Sequence, residues 1–169
     1  VFDYNDENGA PGLSIFGGKI TTYRVLAHKA IKTLKSALGT TTDDWTADAA
    51  LPGGNFSVEG FDALVTEYSR LWPFVKQAVI RRLVRAYGTD TAKILNDAKE
   101  PSDLGQYFGA GLFEVELHWL IQNEFAQTAD DILWRRSKLG LHMTKAEHES
   151  VQAWFEMKES QVKPAATVS

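Results

Sequence analysis

The sequence predicts a mainly α-helical fold, in which a short strand, a Gly-Gly-Lys turn and a helix precede a helical bundle. Apolar residues recur every three to four positions through most of the chain beyond residue 22, which is the period of amphipathic helices. Thr128 and Thr144 each precede an acidic residue by three positions, and this pattern marks the start of a helix. A short apolar run typical of a strand occupies residues 13–16, directly before the two glycines.

Composition and charge limit the classes of function. The chain has 169 residues, 44% of them hydrophobic and 24% charged, which suits a globular protein with a sizeable core. The net charge of −4 argues against a broad surface for nucleic acid. The absence of cysteine excludes disulfides and thiolate metal sites, and no apolar run approaches the ~20 residues that span a bilayer. The four histidines lack the spacing of a helical zinc site, so we predict no metal.

The first part of the chain is punctuated by glycine. Residues 1–12 are polar and suit a flexible lead-in or a hairpin remnant, so we expect the sheet partners of strand 13–16 in sequence outside this chain. Because the chain begins at Val1 and reaches this strand at once, we expect it to be a piece of a longer protein. A helix from Thr22 to Gly39 follows. Its predicted apolar face consists of Tyr23, Leu26, Ala30, Leu34 and Leu38.

Further helices follow a loop that contains a Pro-Gly-Gly turn, which is also a candidate hinge. We predict helices at residues 57–70, 73–88 with Pro73 in the first turn, 91–98, 112–125, 128–140 and 144–160, with residues 99–111 irregular. Segment 112–125 satisfies both the alternation of a strand and the spacing of a helix, and its polar residues favour the helix.

Charged and aromatic side chains have mainly structural interpretations. The basic groups Arg81-Arg82-Arg85 and Arg135-Arg136-Lys138 are typical of solvated helix surfaces. Asp130 and Asp131, just before the second group, predict a local ion network at a helix start. The five tryptophans lie within apolar faces or at helix ends, so we expect them in the core.

The Gly-Gly-Lys turn, residues 17–22, is the clearest candidate for chemistry. Two glycines let the backbone turn sharply and approach a ligand, and a threonine hydroxyl can accept a hydrogen bond from the first helical turn. The helix start and Lys19 both favour negative charge. An ordinary strand-to-helix turn with an exposed lysine explains the pattern equally well. A P-loop is disfavoured because Lys19 is displaced by one position and Ile20, not Ser or Thr, follows it.

Several motifs occur in a fixed order over nearly the whole chain. They are L-S-I-F-G-G-K-I-T-T-Y-R at 13–24, L-P-G-G at 51–54, Y-G at 87–88, S-D-L-G at 102–105, E-V-E-L at 114–117 and A-D-D-I-L-W-R-R-S-K-L-G-L at 129–141. Together they resemble the C-terminal region of FAD-dependent glycerol-3-phosphate dehydrogenases, most of all the aerobic, quinone-linked, single-polypeptide bacterial form.

This resemblance implies a cofactor, a site and partners. Enzymes of the family oxidise sn-glycerol 3-phosphate to dihydroxyacetone phosphate with FAD and pass electrons to quinone. The implied flavin-binding residues are Gly17, Gly18, Lys19, Ile20, Thr21 and Thr22. Lys19 is the implied catalytic residue, beside flavin and substrate. The implied partners are an N-terminal FAD and substrate domain of the same chain, a quinone and the membrane surface. The implied location is cytoplasmic, peripheral on the inner face of the cytoplasmic membrane, and the resemblance leaves open whether the enzyme is a homodimer.

The resemblance also divides the chain. Residues 1–39 would be the end of the FAD-binding domain, 40–55 a linker, 56–160 the helical C-terminal domain and 161–169 a disordered tail. The sequence contains no Gly-x-Gly-x-x-Gly dinucleotide motif, so we expect this chain alone neither to retain FAD nor to turn over substrate. The alternative is a non-enzymatic helical module for protein interaction or regulation.

Overall fold

The computed structural model describes residues 2–5, 12–39 and 45–162, and it separates the chain into two compact units, residues 1–49 and 50–169. The first unit begins with an antiparallel pair, β1 (Phe2–Asn5) and β2 (Gly12–Ile15). A 3-10 turn at Ile20–Thr22 then leads into α1 (Tyr23–Leu38). The expectation that the strand lacks a partner in this chain is wrong, because β1 pairs with it as the first strand of a hairpin.

Helix α1 ends where the sequence predicts. Gly39 takes up the left-handed conformation, with a φ of 62°, that closes many helices. The middle of the predicted apolar face, Leu26, Ala30 and Leu34, is half-buried. The ends of that face, Tyr23 and Leu38, stay more than half exposed, and no described side chain of α1 is fully buried.

The second unit is a helical domain with its own core. Its regular elements are α2 (Phe61–Leu71), α3 (Gln77–Tyr87), α4 (Thr91–Leu95), β3 (Tyr107–Gly109), β4 (Leu112–Phe113), α5 (Glu114–Glu124) and α6 (Lys145–Val162). A π-helical turn occupies Asp131–Arg136, and 3-10 turns occupy Val58–Gly60, Gly88–Asp90, Pro101–Leu104 and Leu139–His142. The core joins α2, α3, α5, the π-helical turn and α6. Its most buried members include Ile80, Leu112, Leu117, Leu120, Ile132 and Val151. The mainly helical fold class is confirmed.

Helix starts in this domain depart from the prediction at Pro73. Helix α3 begins at Gln77, so Pro73 is not in its first turn. Trp72 and Val75 are both buried, and the Val75 N–H donates to the Trp72 carbonyl over 3.0 Å. This turn directs two apolar side chains into the core before the backbone can become helical. Helix α4 is also shorter than predicted, because Asn96 leaves it with a φ of 41°.

The segment expected to be irregular, residues 99–111, contains β3, which pairs with β4 in a short antiparallel hairpin with a register shift. Ala110 and Gly111 form its turn with φ angles of 48° and 78°. Glu114 fastens the hairpin to its neighbours, because its carboxylate accepts from the Gln106 N–H over 3.1 Å and from the Trp154 indole over 2.9 Å. Beyond Phe113 the prediction of a helix is confirmed by α5.

Both predicted capping boxes are present. Thr128 and Asp131 exchange hydrogen bonds between side chain and backbone, and so do Thr144 and Glu147. The predicted ion network is confirmed for Asp131, which pairs with Arg135 over 3.0 Å. The first box does not open an ordinary helix as far as residue 140, however, since the backbone forms the π-helical turn and then a 3-10 turn.

Not all of the tryptophans are in the core. Trp72 and Trp154 are buried, as predicted. The prediction is wrong for Trp45, which is 68% exposed, and for Trp134, which is 37% exposed. Trp134 instead covers Gly140, where a β-carbon would lie 2.7 Å from the indole ring. The indole therefore requires a glycine at this position.

The Pro-Gly-Gly segment forms the predicted turn, with the Gly54 N–H donating to the Leu51 carbonyl over 2.8 Å. It lies directly on the end of α3, where the Thr89 N–H donates to the Gly53 carbonyl over 2.9 Å. A β-carbon at Gly88 would approach the Gly53 carbonyl oxygen to 1.9 Å. Only two glycines allow this backbone contact. The hinge role stays a prediction. The predicted tail 161–169 lies outside the described residues beyond Val162, where α6 ends.

Candidate functional site

The Gly-Gly-Lys turn joins β2 to α1 within the first unit. Gly17 and Gly18 have φ angles of 81° and 144°, which residues other than glycine adopt only with strain. Lys19 is extended, and its carbonyl accepts from both the Thr22 N–H over 3.0 Å and the Thr22 hydroxyl over 3.1 Å. The predicted threonine cap is therefore wrong for Thr22, whose hydroxyl donates to a carbonyl instead of accepting from a first-turn N–H.

The turn presents a bare backbone to its surroundings. All six residues from 17 to 22 are exposed, and Ile20 is 89% exposed. A β-carbon at Gly17 would meet nothing within 4 Å, so one side of the turn is open. A β-carbon at Gly18 would touch Leu26 at 3.0 Å, so the other side rests on α1. The structure thus brings the six predicted site residues together on one exposed segment.

The electrostatics of the turn favour electron-rich ligands. The first N–H groups of a helix lack partners inside the helix, and the helix dipole adds partial positive charge there. Neither the 3-10 turn nor α1 has an acidic residue in its first turn. Lys19 adds a full positive charge at the entry. The segment can therefore accept an anion, or the carbonyl edge of a flat ring, without competition from a carboxylate in the first turn of either element.

A second polar cluster lies inside the helical domain. Glu116 is 2% exposed, and its carboxylate receives the Arg82 guanidinium through two bonds of 2.8 and 2.6 Å. The Tyr87 hydroxyl donates to the same carboxylate over 2.7 Å, and Arg82 also donates to the Gly111 carbonyl over 2.8 Å. The cluster joins α3, α5 and the turn of the β3–β4 hairpin.

Charge and burial set the protonation states of this cluster. Burial, reinforced by the negative charge of Glu116, raises the pKa of the Tyr87 hydroxyl, which therefore stays protonated as a donor. Burial lowers the pKa of Arg82, but the hydrogen bond and charge of Glu116 outweigh it, so the net pKa is raised. Arg82 and Tyr87 thus both donate to the Glu116 carboxylate inside the domain. We assign the cluster to the architecture of the domain and not to catalysis.

Arg82 corrects a prediction, because it was expected on a solvated surface together with Arg81 and Arg85. Its side chain is 23% exposed, whereas that of Arg81 is 49% exposed and pairs with Asp62. Its partner Glu116 lies 34 positions away, and no local pattern connects the two residues. The i, i+1 neighbours on a helix face different ways, which is the only sequence signal that separates Arg82 from Arg81.

The helical domain also has an apolar groove of about 480 Å³ lined by Phe74, Val79, Tyr107 and Phe113. None of the predicted site residues lines it. Among the residues that the structure describes, no three His, Asp or Glu side chains are grouped as metal ligands would be. Likewise, no helix in the described ranges has the length and apolar composition needed to cross a bilayer.

The domain outlined by this core coincides with a known protein family. Residues 45–163 match the family described as the C-terminal domain of alpha-glycerophosphate oxidase. The chain belongs to this family. The match begins just before the compact helical unit, residues 50–169, and ends one residue after α6.

Relatives of this family member extend the similarity. The chain is 40% identical over 157 residues to aerobic glycerol-3-phosphate dehydrogenase of Escherichia coli. This match covers 92% of this chain and 31% of that protein. It is 37% identical over 156 residues to D-erythritol 1-phosphate dehydrogenase of Brucella abortus, with the same two coverages. It is 40% identical over 141 residues to glycerol-3-phosphate dehydrogenase of Pseudomonas aeruginosa, covering 83% of this chain and 27% of that protein.

The extent of these matches bears on the Gly-Gly-Lys turn. The chain spans about a third of the length of the curated relatives it matches. A match that covers 92% of the 169 residues leaves few residues uncovered. Even if all of the uncovered residues lay at the start of the chain, residues 17–22 would still be inside the match. The similarity to the Escherichia coli and Brucella abortus dehydrogenases thus includes the turn as well as the helical domain.

Proposed function

We propose that this chain forms the C-terminal third of an FAD-dependent dehydrogenase that oxidises sn-glycerol 3-phosphate to dihydroxyacetone phosphate and passes the electrons to quinone. The observation that carries the proposal is the exposed Gly-Gly-Lys turn at a helix start, inside a stretch similar to an aerobic glycerol-3-phosphate dehydrogenase. The similarity to a D-erythritol 1-phosphate dehydrogenase supports a phosphorylated polyol as the wider substrate class.

The turn fits the edge of a flavin ring. FAD, when bound, accepts the hydride that leaves the alcohol carbon, and its reduced ring carries negative charge. Gly17 and Gly18 have no side chains to hold a flat ring away from the backbone, and the open side of Gly17 leaves room for it. Backbone groups of residues 18–22 would bind the ring edge, and the positive helix start would stabilise its charge.

Lys19 would assist by its charge. Oxidation of the alcohol removes a hydride from carbon and a proton from oxygen, so negative charge develops at that oxygen and on the ring. An ammonium group held beside them stabilises this charge in the transition state more than in the ground state. The extended backbone at Lys19, with its carbonyl held by Thr22, fixes the point from which the side chain leaves.

The test is Lys19→Ala in the full-length enzyme. We expect kcat/KM for glycerol 3-phosphate with a dye acceptor to fall on the order of a hundredfold, or ~3 kcal/mol of transition-state stabilisation. Lys35→Ala, in the same helix unit but at the far end of α1, serves as the matched control and keeps its rate. A Lys19→Ala enzyme with unchanged turnover would reduce the turn to a simple connection.

The proposal has wider consequences for the assembled protein. The full-length protein would have an N-terminal domain that corresponds to the unmatched part of its relatives. This domain would hold the rest of FAD and the substrate. Delivery of electrons to a quinone would place the enzyme on the inner face of the cytoplasmic membrane. This arrangement is compatible with a homodimer.

The competing proposal is a helical module for interaction or regulation. It is favoured by the separate core of residues 50–169 and by a family match confined to residues 45–163. If the full-length protein contained no flavin and reduced no dye with glycerol 3-phosphate, this second proposal would replace the first.

A further inference from the structure

The carbonyl of Lys19 accepts two hydrogen bonds from a single residue. The Thr22 N–H donates to it over 3.0 Å, and the Thr22 hydroxyl donates to it over 3.1 Å. The N–H bond belongs to the turn itself, and any residue at position 22 except proline could supply it. The hydroxyl bond is additional and requires a short hydroxyl side chain. Thr22 thus holds one peptide group of the Gly-Gly-Lys turn more firmly than the geometry of the turn requires.

These two bonds fix the direction of the N–H group on the same peptide. The peptide between Lys19 and Ile20 is trans, so its carbonyl and its N–H point in opposite directions. Because the carbonyl is turned toward Thr22 and the start of α1, the Ile20 N–H is turned away from the helix. This N–H has no hydrogen-bond partner among the described residues, and Ile20 is 89% exposed. The turn therefore presents a donor whose direction is fixed.

The next peptide group is arranged in the same way, which gives the turn a pair of donors. The Ile20 carbonyl accepts from the Tyr23 N–H, so the Thr21 N–H on the same peptide also points away from α1. The Thr21 N–H likewise lacks a partner in the part of the chain that the structure describes. Of these two peptide groups, only the first is held by a side chain as well, and that side chain is Thr22.

We propose that Thr22 is a positioning residue, whose hydroxyl holds the peptide between Lys19 and Ile20 so that the Ile20 N–H donates to the reduced flavin ring. The inference rests on the proposed function, which brings the edge of the ring against this turn. It goes further by giving the Thr22 side chain a role that acts through the backbone and not by contact with the cofactor. The reduced ring carries negative charge on its pyrimidine edge, so a donor held there binds reduced FAD more tightly than oxidised FAD.

Two physical effects connect the Thr22 hydroxyl to the charge of the ring. A peptide carbonyl that accepts hydrogen bonds is polarised, and the N–H of the same peptide then becomes a stronger donor. A peptide that is held by two bonds also keeps its N–H directed at the ring edge. Both effects contribute more to the reduced ring, because a hydrogen bond to a charged acceptor is stronger than a bond to a neutral one. Removal of the hydroxyl should therefore lower the midpoint potential of the flavin.

The test compares two variants of the full-length enzyme, Thr22→Val and Thr22→Ser. Valine keeps the branched shape of threonine and removes the hydroxyl, whereas serine keeps the hydroxyl. The matched control is Thr33→Val, because the Thr33 hydroxyl donates to the Lys29 carbonyl over 2.9 Å on the same helix, away from the turn. The midpoint potential of bound FAD is measured by spectroscopic titration against a reference dye, and the FAD content of each variant is measured in parallel.

We expect Thr22→Val to keep its FAD and to bind the reduced cofactor about tenfold less tightly relative to the oxidised one. For a two-electron couple this change lowers the midpoint potential by about 30 mV. Thr22→Ser and Thr33→Val should keep the potential of the parent enzyme. An unchanged potential in Thr22→Val would overturn the proposal, as would an equal fall in Thr22→Ser or Thr33→Val. Loss of FAD from Thr22→Val would also overturn it, because that result indicates a merely structural role.

The failure of this inference can be distinguished from the failure of the proposed function. A parent enzyme that contains no FAD would remove the proposed function, and the role of Thr22 would fall with it. A parent enzyme whose FAD is reduced by glycerol 3-phosphate, but whose potential does not respond to Thr22→Val, would remove the positioning role alone.

Discussion

At the scale of single residues, Glu116 shows how a charge is kept inside a helical core. A buried carboxylate is costly unless it is paired and its oxygens are fully hydrogen-bonded. Arg82 and Tyr87 together supply three donors to Glu116, all within 2.8 Å. Arg82 also donates to the Gly111 carbonyl, so the charge pair fixes the hairpin turn against α3 and α5.

We therefore expect Glu116→Ala to lower the free energy of unfolding by about 3–5 kcal/mol, because it leaves Arg82 and the Tyr87 hydroxyl without their acceptor. Urea unfolding of the helical domain, followed by tryptophan fluorescence, measures the loss. Asp62→Ala is the matched control, since it removes the exposed partner of Arg81, the neighbour of Arg82 on α3. This substitution should lower the free energy of unfolding by less than about 1 kcal/mol. Similar losses in the two variants would contradict the structural role of the cluster.

The cluster also marks a limit of prediction from sequence. Capping boxes are local, so Thr128 with Asp131 and Thr144 with Glu147 could be recognised from spacing alone. The pairing of Arg82 with Glu116 depends on how α3 packs against α5, which no local spacing encodes. Single-residue predictions therefore succeed where the partner lies within one helical turn and fail where it is distant.

At the scale of elements, three carboxylates at the starts of turns and helices, Asp103, Asp131 and Glu147, are held in their charged form. The pKa of Asp131 is lowered from 3.8 to about 2, first by the Gln127 N–H and then by the Thr128 hydroxyl. The pKa values of Glu147 and Asp103 are also lowered, in each case mainly by backbone N–H groups near the start of their own elements. Each carboxylate favours its element only while it is ionised.

This predicts an acid-dependent loss of stability at the π-helical turn. Because the folded-state pKa of Asp131 lies below the unfolded value, its contribution is present above about pH 4 and disappears as the pH falls toward 2. Asp131→Asn should therefore be less stable than the parent at pH 7, and the two should converge near pH 2. Thermal unfolding at several pH values measures the difference. A difference that stays constant over this range would show that Asp131 does not act through its charge.

The elements that the sequence did not predict are short and depend on their surroundings. The β3–β4 hairpin has only three and two residues in its strands and depends on Glu114, which binds Gln106 and Trp154. The start of α3 moves from Pro73 to Gln77 because Trp72 and Val75 are buried first. Helices α1, α2 and α5 carry enough local periodicity to be predicted, whereas these boundaries are decided by tertiary packing.

At the scale of the whole molecule, the two units bury their apolar side chains to different extents. Residues 50–169 enclose a core with many fully buried side chains, which is what an independently folding domain requires. In the other unit, α1 buries no side chain fully, and Tyr23, Ile31 and Leu38 are at least half exposed. A helix with this much exposed apolar surface is stabilised best by further packing, which the longer relatives have sequence to supply.

We expect this chain on its own not to retain FAD. The Gly-Gly-Lys turn offers one exposed edge for a ring, and the sequence has no dinucleotide-binding motif for the phosphates, so too little of the cofactor would be enclosed to retain it. We expect the purified chain to be colourless and inactive with glycerol 3-phosphate and dye, and the full-length enzyme to be yellow and active. Cooperative unfolding of the purified chain provides the control, because it shows that flavin is absent from a folded protein. Stoichiometric flavin in the isolated chain would mean that these residues alone form the cofactor site, and it would transfer the whole FAD-binding role to the first unit.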